Sequence, residues 1–476
     1  MKHKGRKLLG VVLTLLLILN LATAAGAYVD PSGVELWMIA GQIMEEDKVV
    51  TVDLPDEVDI AFAFDLTGSM SYIIDTAKDN ADDLMDELDG WGGPLGVDFD
   101  YGVISYMDYV GTFSSCGYSN TYGYDDDYPY RLDQAITSNN AWVEDAIDDL
   151  ELGSGGDGPQ DYTRIFYESY ADPNIMWRSS ADKILLNFGD NVPHDCNLNE
   201  GVPGKVGTYS TGVDPGRNGF IGGGDDLDLQ PVLHTMATEG IKLLESHTTF
   251  SHSEYWEYWT GITGGDVFIT TGGSAWLDDV SMAIKKSIAW VDDLHFEVHP
   301  CFSEYEDWLV YTDYYSGWVE EPVEMMIELG VPPCTPAGEN FFVLIAVDGD
   351  GMVYGEQEVT IYVEPTPIAI DIKPGSYPNS INLKNKGVIP VAILGSEIFD
   401  VMMVDLETVM FACAEPAPMD PEYEDVNMDG YLDLVLHFYT QEVCIDPGDT
   451  EAALTGGTMC GYCFIGIDSV RTVPNK

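Results

Sequence analysis

Val58-Asp59-Ile60-Ala61-Phe62-Ala63-Phe64-Asp65-Leu66-Thr67-Gly68-Ser69 is the stretch on which the reading of the chain turns. Residues 58–64 form an apolar run of strand length, the pattern of a strand buried on both faces. The run stops at a carboxylate, and two hydroxyls follow at alternate positions. A buried strand that ends in a turn aims Asp65, Thr67 and Ser69 at one point. Oxygen ligands alone suit Mg²⁺, Mn²⁺ or Ca²⁺ better than softer metals. The same residue types also build ordinary strand-to-helix turns, in which Ser69 caps the helix that follows.

Two later segments favour the metal. Gly155-Gly156-Asp157-Gly158-Pro159-Gln160 opens a predicted helix, and Ile184-Leu185-Leu186-Asn187-Phe188-Gly189-Asp190 is an apolar strand closed by an acid. In this order the three segments resemble the von Willebrand factor A family. Its metal-ion-dependent adhesion site, D-x-[ST]-x-S, is matched by Asp65, Thr67 and Ser69, and its distal aspartate by Asp190. The Gly-Asp-Gly-Pro element resembles the second loop of integrin β-type and prokaryotic members, where a glutamate follows the proline. This chain has Gln160 there, a poorer cation ligand, so the resemblance leaves the second-loop contribution to Asp157, to Gln160 or to water. It implies a Mg²⁺, Mn²⁺ or Ca²⁺ ion with one position open to an acidic group of a partner.

Periodicity points to the same architecture. Residues 72–88 carry helical spacing, with Ile73, Ile74, Ala77, Ala81 and Leu84 on one side. Residues 101–106 and 181–188 read as strands, 141–150 and 162–170 as helices, 241–244 and 267–270 as short strands, and 276–290 as a closing helix. Alternating strands and helices predict an α/β fold with a doubly wound, mostly parallel sheet, whose ligands bind outside the carboxyl ends of the strands. Asp65 and Asp190 both fall at such ends.

The chain has 476 residues, enough for about three domains. A basic start (Lys2, Lys4, Arg6, Lys7), an apolar stretch over residues 8–25 and the small-residue site Ala25-Gly26-Ala27 read as a secretory signal over 1–27, with retention as an N-terminal anchor the second reading. The expected organisation continues with a leader (28–56), the α/β domain (57–293), an immunoglobulin-like β domain (294–365) and a C-terminal β domain (368–476). No second long apolar run follows, so the mature chain is expected to have no membrane span and to be secreted or held at the cell surface. Formal net charge is −62. Taking the four basic signal residues from the 20 leaves 16 against 82 acidic. Such a surface repels nucleic acid and anionic lipid and attracts cations, and for most of these carboxylates solvation is the simpler role.

All eight cysteines follow the signal, as suits disulfides in an oxidising compartment. Cys116 and Cys196 lie in long loops after strands that end near the proposed metal, where a bridge would tie down the rim. Cys301 and Cys334 fall in the second domain, and Cys413, Cys444, Cys460 and Cys463 in the third, where three pairings are open. Cys460-Gly461-Tyr462-Cys463 has redox spacing without a surrounding strand-helix-strand unit, and structural bridging explains it better.

From residue 295 the pattern is purely β, with short segments at 295–299, 308–312, 324–328, 341–347 and 357–363. Asp348-Gly349-Asp350-Gly351 between two of them reads as a tight hairpin. This region resembles the immunoglobulin-like sandwiches of microbial surface proteins. Beyond the stiff Pro365-Thr366-Pro367, residues 370–375 and 387–395 resemble a small β domain found near the C-termini of exported bacterial and archaeal proteins. Within it, Asp425, Asn427, Asp429 and Asp433 stand at positions one, three, five and nine of a loop with Gly430 at six, the front of a calcium loop, and the Tyr431 carbonyl is a further ligand. Leu436 occupies the position an EF-hand fills with glutamate, and a strand follows in place of a helix, so Ca²⁺ is expected in a loop between β elements.

No H-E-x-x-H, G-x-S-x-G or P-loop is present, and an enzyme is not expected. His194 follows Asp190 closely, where a loop histidine satisfied by acids is the ordinary explanation. Insertions at 116–131 and 201–224, rich in tyrosine and glycine, lie on the presumed rim and suit contact with a protein or glycan. Two functions follow. The first is a secreted adhesion protein that takes an acidic partner through the metal, and the second is a structural envelope component whose metals only stabilise it.

Overall fold

The structure is a computed structural model, and it describes residues 27–248, 251–270 and 272–473. The expected signal segment lies outside the described residues apart from Ala27. The chain divides into two compact units, one of residues 53–290 with 317–320 and one of the remainder.

The first unit is built on a six-stranded sheet. Its order is Val267–Ile269, Ile241–His247, Asp182–Gly189, Glu57–Asp65, Asp98–Tyr106 and Arg131–Thr137. All neighbours pair in parallel except the last two, which are antiparallel. Alternate residues of the central strand serve opposite faces. Val58, Ile60, Phe62 and Phe64 pack against the helices Ser71–Leu95, Asn140–Asp148 and Trp276–Ala289, through residues such as Ile74, Leu84, Val143 and Ile284. Ala61 and Ala63 face the other way, where their small side chains leave room for Tyr162, Phe166, Trp256 and Trp259. Covering both faces is why the strand reads as an unbroken apolar run.

Successive connections leave the central strand in one direction and then return to its other side, so strand order reverses between Glu57–Asp65 and Asp182–Gly189. That reversal opens a crevice at the carboxyl ends of the two strands. At the opposite end of the sheet Arg178 is the clamp. Its Nε donates to Asp59 Oδ1 at 2.6 Å and its Nη1 to Asp98 Oδ2 at 2.7 Å, with Asp59 fully buried.

The elements expected in this region all form, with ends shifted by a few residues. Unanticipated were the edge strand Arg131–Thr137, the hairpin of Gly111–Ser115 and Tyr118–Gly123, and the helices Leu229–Thr238 and Ser253–Ile262.

The second unit is β throughout apart from short 3₁₀ turns. Residues assigned to a leader supply three strands to it, which corrects that reading. Tyr28–Asp30 and Ile43–Thr51 join Val323–Gly330 and Leu309–Thr312 in an antiparallel sheet, and Gly33–Ile39 runs parallel to Val353–Glu364 at the edge of a five-stranded one. These strands alternate buried and exposed residues, but Ile43–Thr51 and Gly33–Ile39 find partners some 270 residues or more away, so local pattern did not reveal the pairing. The α/β unit is therefore an insertion into a β domain. Asp348 closes the expected hairpin, its Oδ1 accepting from the N–H groups of Asp350 and Met352.

The C-terminal portion has two four-stranded sheets around one core containing Ile372, Val391, Phe411, Leu436, Leu454 and Phe464. Its cysteines do not pair only among themselves. Cys413 joins Cys444, but Cys460 joins Cys334 of the preceding β domain, leaving Cys301 and Cys463 as thiols.

Removing one partner of a buried ion pair strands the other charge. Arg178→Ala is expected to destabilise the α/β unit by about 3 kcal/mol, read as a lower denaturant midpoint with unchanged slope.

Candidate metal centre

Asp65 ends the central strand and is fully buried. Its Oδ1 accepts from the backbone N–H of Thr67 at 2.8 Å and from the Thr67 hydroxyl at 2.7 Å. The Ser69 hydroxyl lies 3.3 Å from that of Thr67. Carboxylate and hydroxyls thus line up along one loop, from the buried Asp65 to the exposed Ser69. Ser69 does not cap the following helix, whose N-cap position is Met70 and makes no side-chain cap.

Tyr162 joins this loop to the next strand end. Its hydroxyl donates to Asp65 Oδ2 at 3.3 Å and accepts from the backbone N–H groups of Asp190 and Asn191, each at 3.2 Å. Burial, reinforced by the Asp190 charge, pushes the Asp65 carboxyl up to about 7. Glu245 is buried below, where its Oε2 accepts from Asn187 Nδ2 at 2.7 Å and its Oε1 has no partner among the described residues. Burial first, then the charges of Asp65 and Asp190, hold Glu245 well above the usual carboxylate range. Crowded acids with oxygen-only donors fit a hard divalent cation.

The second loop packs directly on the first. A Cβ at Gly155, whose φ is +61°, would come within 3.0 Å of Thr67 Cγ2 and 3.8 Å of Gln160 Nε2. Gln160 is buried, with Nε2 donating to the Gly158 carbonyl at 3.3 Å and Oε1 unpartnered among the described residues. Gln160 thus lies beside the first loop, and Oε1 is the atom it would offer to a cation.

Asp157 goes elsewhere. Its Oδ2 accepts from the Tyr118 hydroxyl at 2.8 Å, and its Oδ1 lies 3.7 Å from His194 Nε2. His194 Nε2 is also 3.2 Å from Asp108 Oδ2, and the ring stacks on Tyr122 at 3.6 Å. His194 is thus the acid-satisfied histidine expected, but inside a cluster that sequence reasoning missed. Asp108, Asp161 and Asp214 complete it, all fully buried. Asp108 follows the strand Asp98–Tyr106 much as Asp65 ends its own, so the rule that found Asp65 could have found it.

The insertions form the rim. Gly156 N–H donates to the Tyr122 carbonyl, and Asp127 accepts from the N–H groups of Tyr124 and Ser154. A Cys116–Cys196 disulfide joins the loops as expected, and Ser115 accepts from Val213 N–H. Tyr124 and Phe220 are exposed there.

In the C-terminal portion, residues 425–432 connect Glu422–Glu424 to Asp433–Tyr439, which pair antiparallel. Asp425 Oδ1 and Asn427 Oδ1 accept from Asp429 N–H, Asp425 Oδ2 from Gly430 N–H, and Asp429 Oδ1 from Tyr431 N–H. Asp433 is buried and accepts from Val426 and Gly395 N–H groups. The side chains curl round the loop backbone, and each oxygen keeps a lone pair for a cation.

No family model and no curated protein matches the chain. Solved structures similar to it include a von Willebrand factor type A protein from Catenulispora acidiphila, at 14% identity and TM-score 0.34, covering 72% of this chain and 75% of that one. Another is the pilus adhesin SpaC from Lactobacillus rhamnosus GG in its open conformation, at 11% and 0.34, covering 90% and 55%. A third is proximal thread matrix protein 1 from the mussel byssus with a zinc-occupied MIDAS motif, at 15% and 0.28, covering 50% and 48%. The chain spans about half the length of the last two. At such TM-scores the functional reading rests on the site itself.

Without metal, an Asp65 carboxyl that titrates near 7 when folded, against 3.8 ordinarily, makes the folded state the better proton binder between those values. That stability is fully present below pH 3.8 and is lost as pH rises to about 7, amounting to roughly 4 kcal/mol. In chelator the melting temperature should fall between about pH 4 and pH 7, less steeply in Asp65→Asn, and saturating Mg²⁺ should flatten the wild-type curve. Equal slopes for the two proteins in chelator would show that Asp65 does not titrate in this range.

For the C-terminal loop, calorimetry on the whole protein is expected to show one fewer calcium ion bound by Asp429→Ala than by wild type. Calcium a hundredfold above Kd stabilises a singly binding domain by about 2.7 kcal/mol, so the rise in melting temperature should also be lost.

Proposed function

We propose that the protein is a secreted or surface-held adhesion protein of von Willebrand factor A type. A divalent cation would be held by Asp65, Thr67, Ser69 and Asp190, with Gln160 beside it. When bound, the ion supplies a positive centre of high charge density that takes an acidic group of a protein or glycan partner as a ligand.

The observation that carries this reading is the meeting of Asp65, Thr67, Ser69 and the Asp190 loop at the crevice where strand order reverses. Each residue has a part in it. Asp65 brings the charge, held in place by Thr67 and Tyr162, and the exposed Ser69 marks the open side. The tyrosine-rich rim offers area for the rest of a partner. Among the described residues no helix is long and apolar enough to cross a membrane. Catalysis is not part of the proposal.

Asp65→Ala deletes a metal ligand and little apolar packing. Surface components captured by the wild type in Mg²⁺ should be released by chelator and by excess acidic peptide, and the variant should capture at least about tenfold less while melting cooperatively. Capture that is equal in chelator, or equal in the variant, would favour a structural envelope component instead.

A further inference from the structure

We propose that the aromatic pair Trp37 and Tyr362, with Glu35 and Glu339 beside it, is a docking surface of the β unit for an arginine-bearing segment of a protein partner. Trp37 lies on Gly33–Ile39, the last strand of the five-stranded sheet, and Tyr362 stands next to it on the parallel neighbour Val353–Glu364. Their rings stack with centroids 5.1 Å apart and planes 21° from parallel. Cross-strand stacking of this kind supports an edge strand. It occupies one face of the indole only, and Trp37 remains 56% exposed.

Charge on this face has one sign. Glu35 is exposed two residues before Trp37, and exposed Glu339, on Gly338–Val347, pairs with Tyr362 from the other side. Glu358 and Glu364 are exposed on the strand between. Desolvation first, then the charges of Glu35 and Glu339, raise the Tyr362 phenol, so both carboxylates act on the aromatic pair. The three strands contain no lysine, arginine or histidine. Elsewhere the chain lays its own cations over rings, as with Arg131 on Tyr128, Lys205 on Tyr255 and Arg217 on Tyr167. Among the described residues no cation lies over Trp37 or Tyr362.

Those two properties together select the occupant. A guanidinium is planar, stacks on an indole face and carries several N–H groups that donate to carboxylates at its edge. An ammonium is a compact, strongly hydrated point charge and uses the ring less well. A neutral sugar ring also stacks on indole, but it draws nothing from the glutamate charges. The chain's formal charge of −62 opposes a second copy as the partner, and the same acids repel nucleic acid and anionic lipid. This proposal stands on its own residues and does not need the metal-dependent reading.

The test is calorimetry on the whole protein in excess Mg²⁺ and Ca²⁺, at about 0.15 M salt so that diffuse attraction is screened. The probe is a capped peptide of alternating arginine and alanine. Wild type should bind it at one site, and Trp37→Leu, or Glu35→Gln with Glu339→Gln, should weaken that binding at least about tenfold. The matching lysine peptide should bind wild type more weakly than the arginine peptide. The glutamine pair keeps the side-chain shapes and decides the matter if Trp37→Leu lowers the melting temperature. Should both variants bind the arginine peptide as tightly as wild type, the attraction belongs to the acidic surface at large and the proposal falls. It falls equally if the lysine peptide binds as tightly, or if Trp37→Leu loses only the binding of a neutral glucose oligosaccharide, which would make the surface a glycan platform.

Discussion

Desolvation of carboxylates at the carboxyl ends of parallel strands is the constraint on which the α/β unit turns. A parallel sheet covered on both faces has its open crevice where strand order reverses, and here that crevice is filled with acids. Asp65 is buried at the centre with its oxygens turned towards Thr67 and Tyr162. Asp190 and Glu245 raise its proton affinity further or share its burial. Each group alone would be poorly tolerated in a low-dielectric interior. Together they form a cluster of acids whose charge is complementary to a small cation, held by a scaffold of apolar packing.

Tyr162 shows how fold and site are joined. Its ring packs edge-on against Tyr106 and Trp256 in the core, while its hydroxyl spans two loops. A Cβ at Gly189 would stand 2.5 Å from that hydroxyl, so glycine is required where the strand meets the tyrosine. The crevice is thus set by packing on one face of the sheet.

Much of this was legible because it is local. The run over residues 58–64 and the alternate Asp65, Thr67 and Ser69 carry their meaning within a dozen residues. The amphipathic helix after them is equally self-contained. Pairings across long separations were not legible. Ile43–Thr51 has alternating exposure, but its neighbour Val323–Gly330 follows an intervening domain, so the segment read as a leader. Ser253–Ile262 is crowded with aromatic residues of modest helix propensity and is held as a helix by Trp256 and Trp259 in the core. Asp157 sits in the right motif but turns to His194, because the rim insertion brings Tyr118 to its other oxygen. Cysteine spacing could not anticipate the Cys334–Cys460 link, which joins two domains that are separate in pattern.

The insertion of the α/β unit into a β domain has a mechanical side. Its main covalent connections, near residues 52–53 and 290–291, both lead into strands of the β unit, and the chain crosses again on either side of residues 317–320. Ile43–Thr51 and Trp290–Val298 are each flanked by a strand on both sides, so neither is a sheet edge. A pull on the α/β unit is therefore shared among more than one connection. Each main connection ends in a strand whose extraction requires rows of hydrogen bonds on both flanks to shear together. A bead-on-a-string arrangement would pass the whole load through a single linker, whereas this chain shares it.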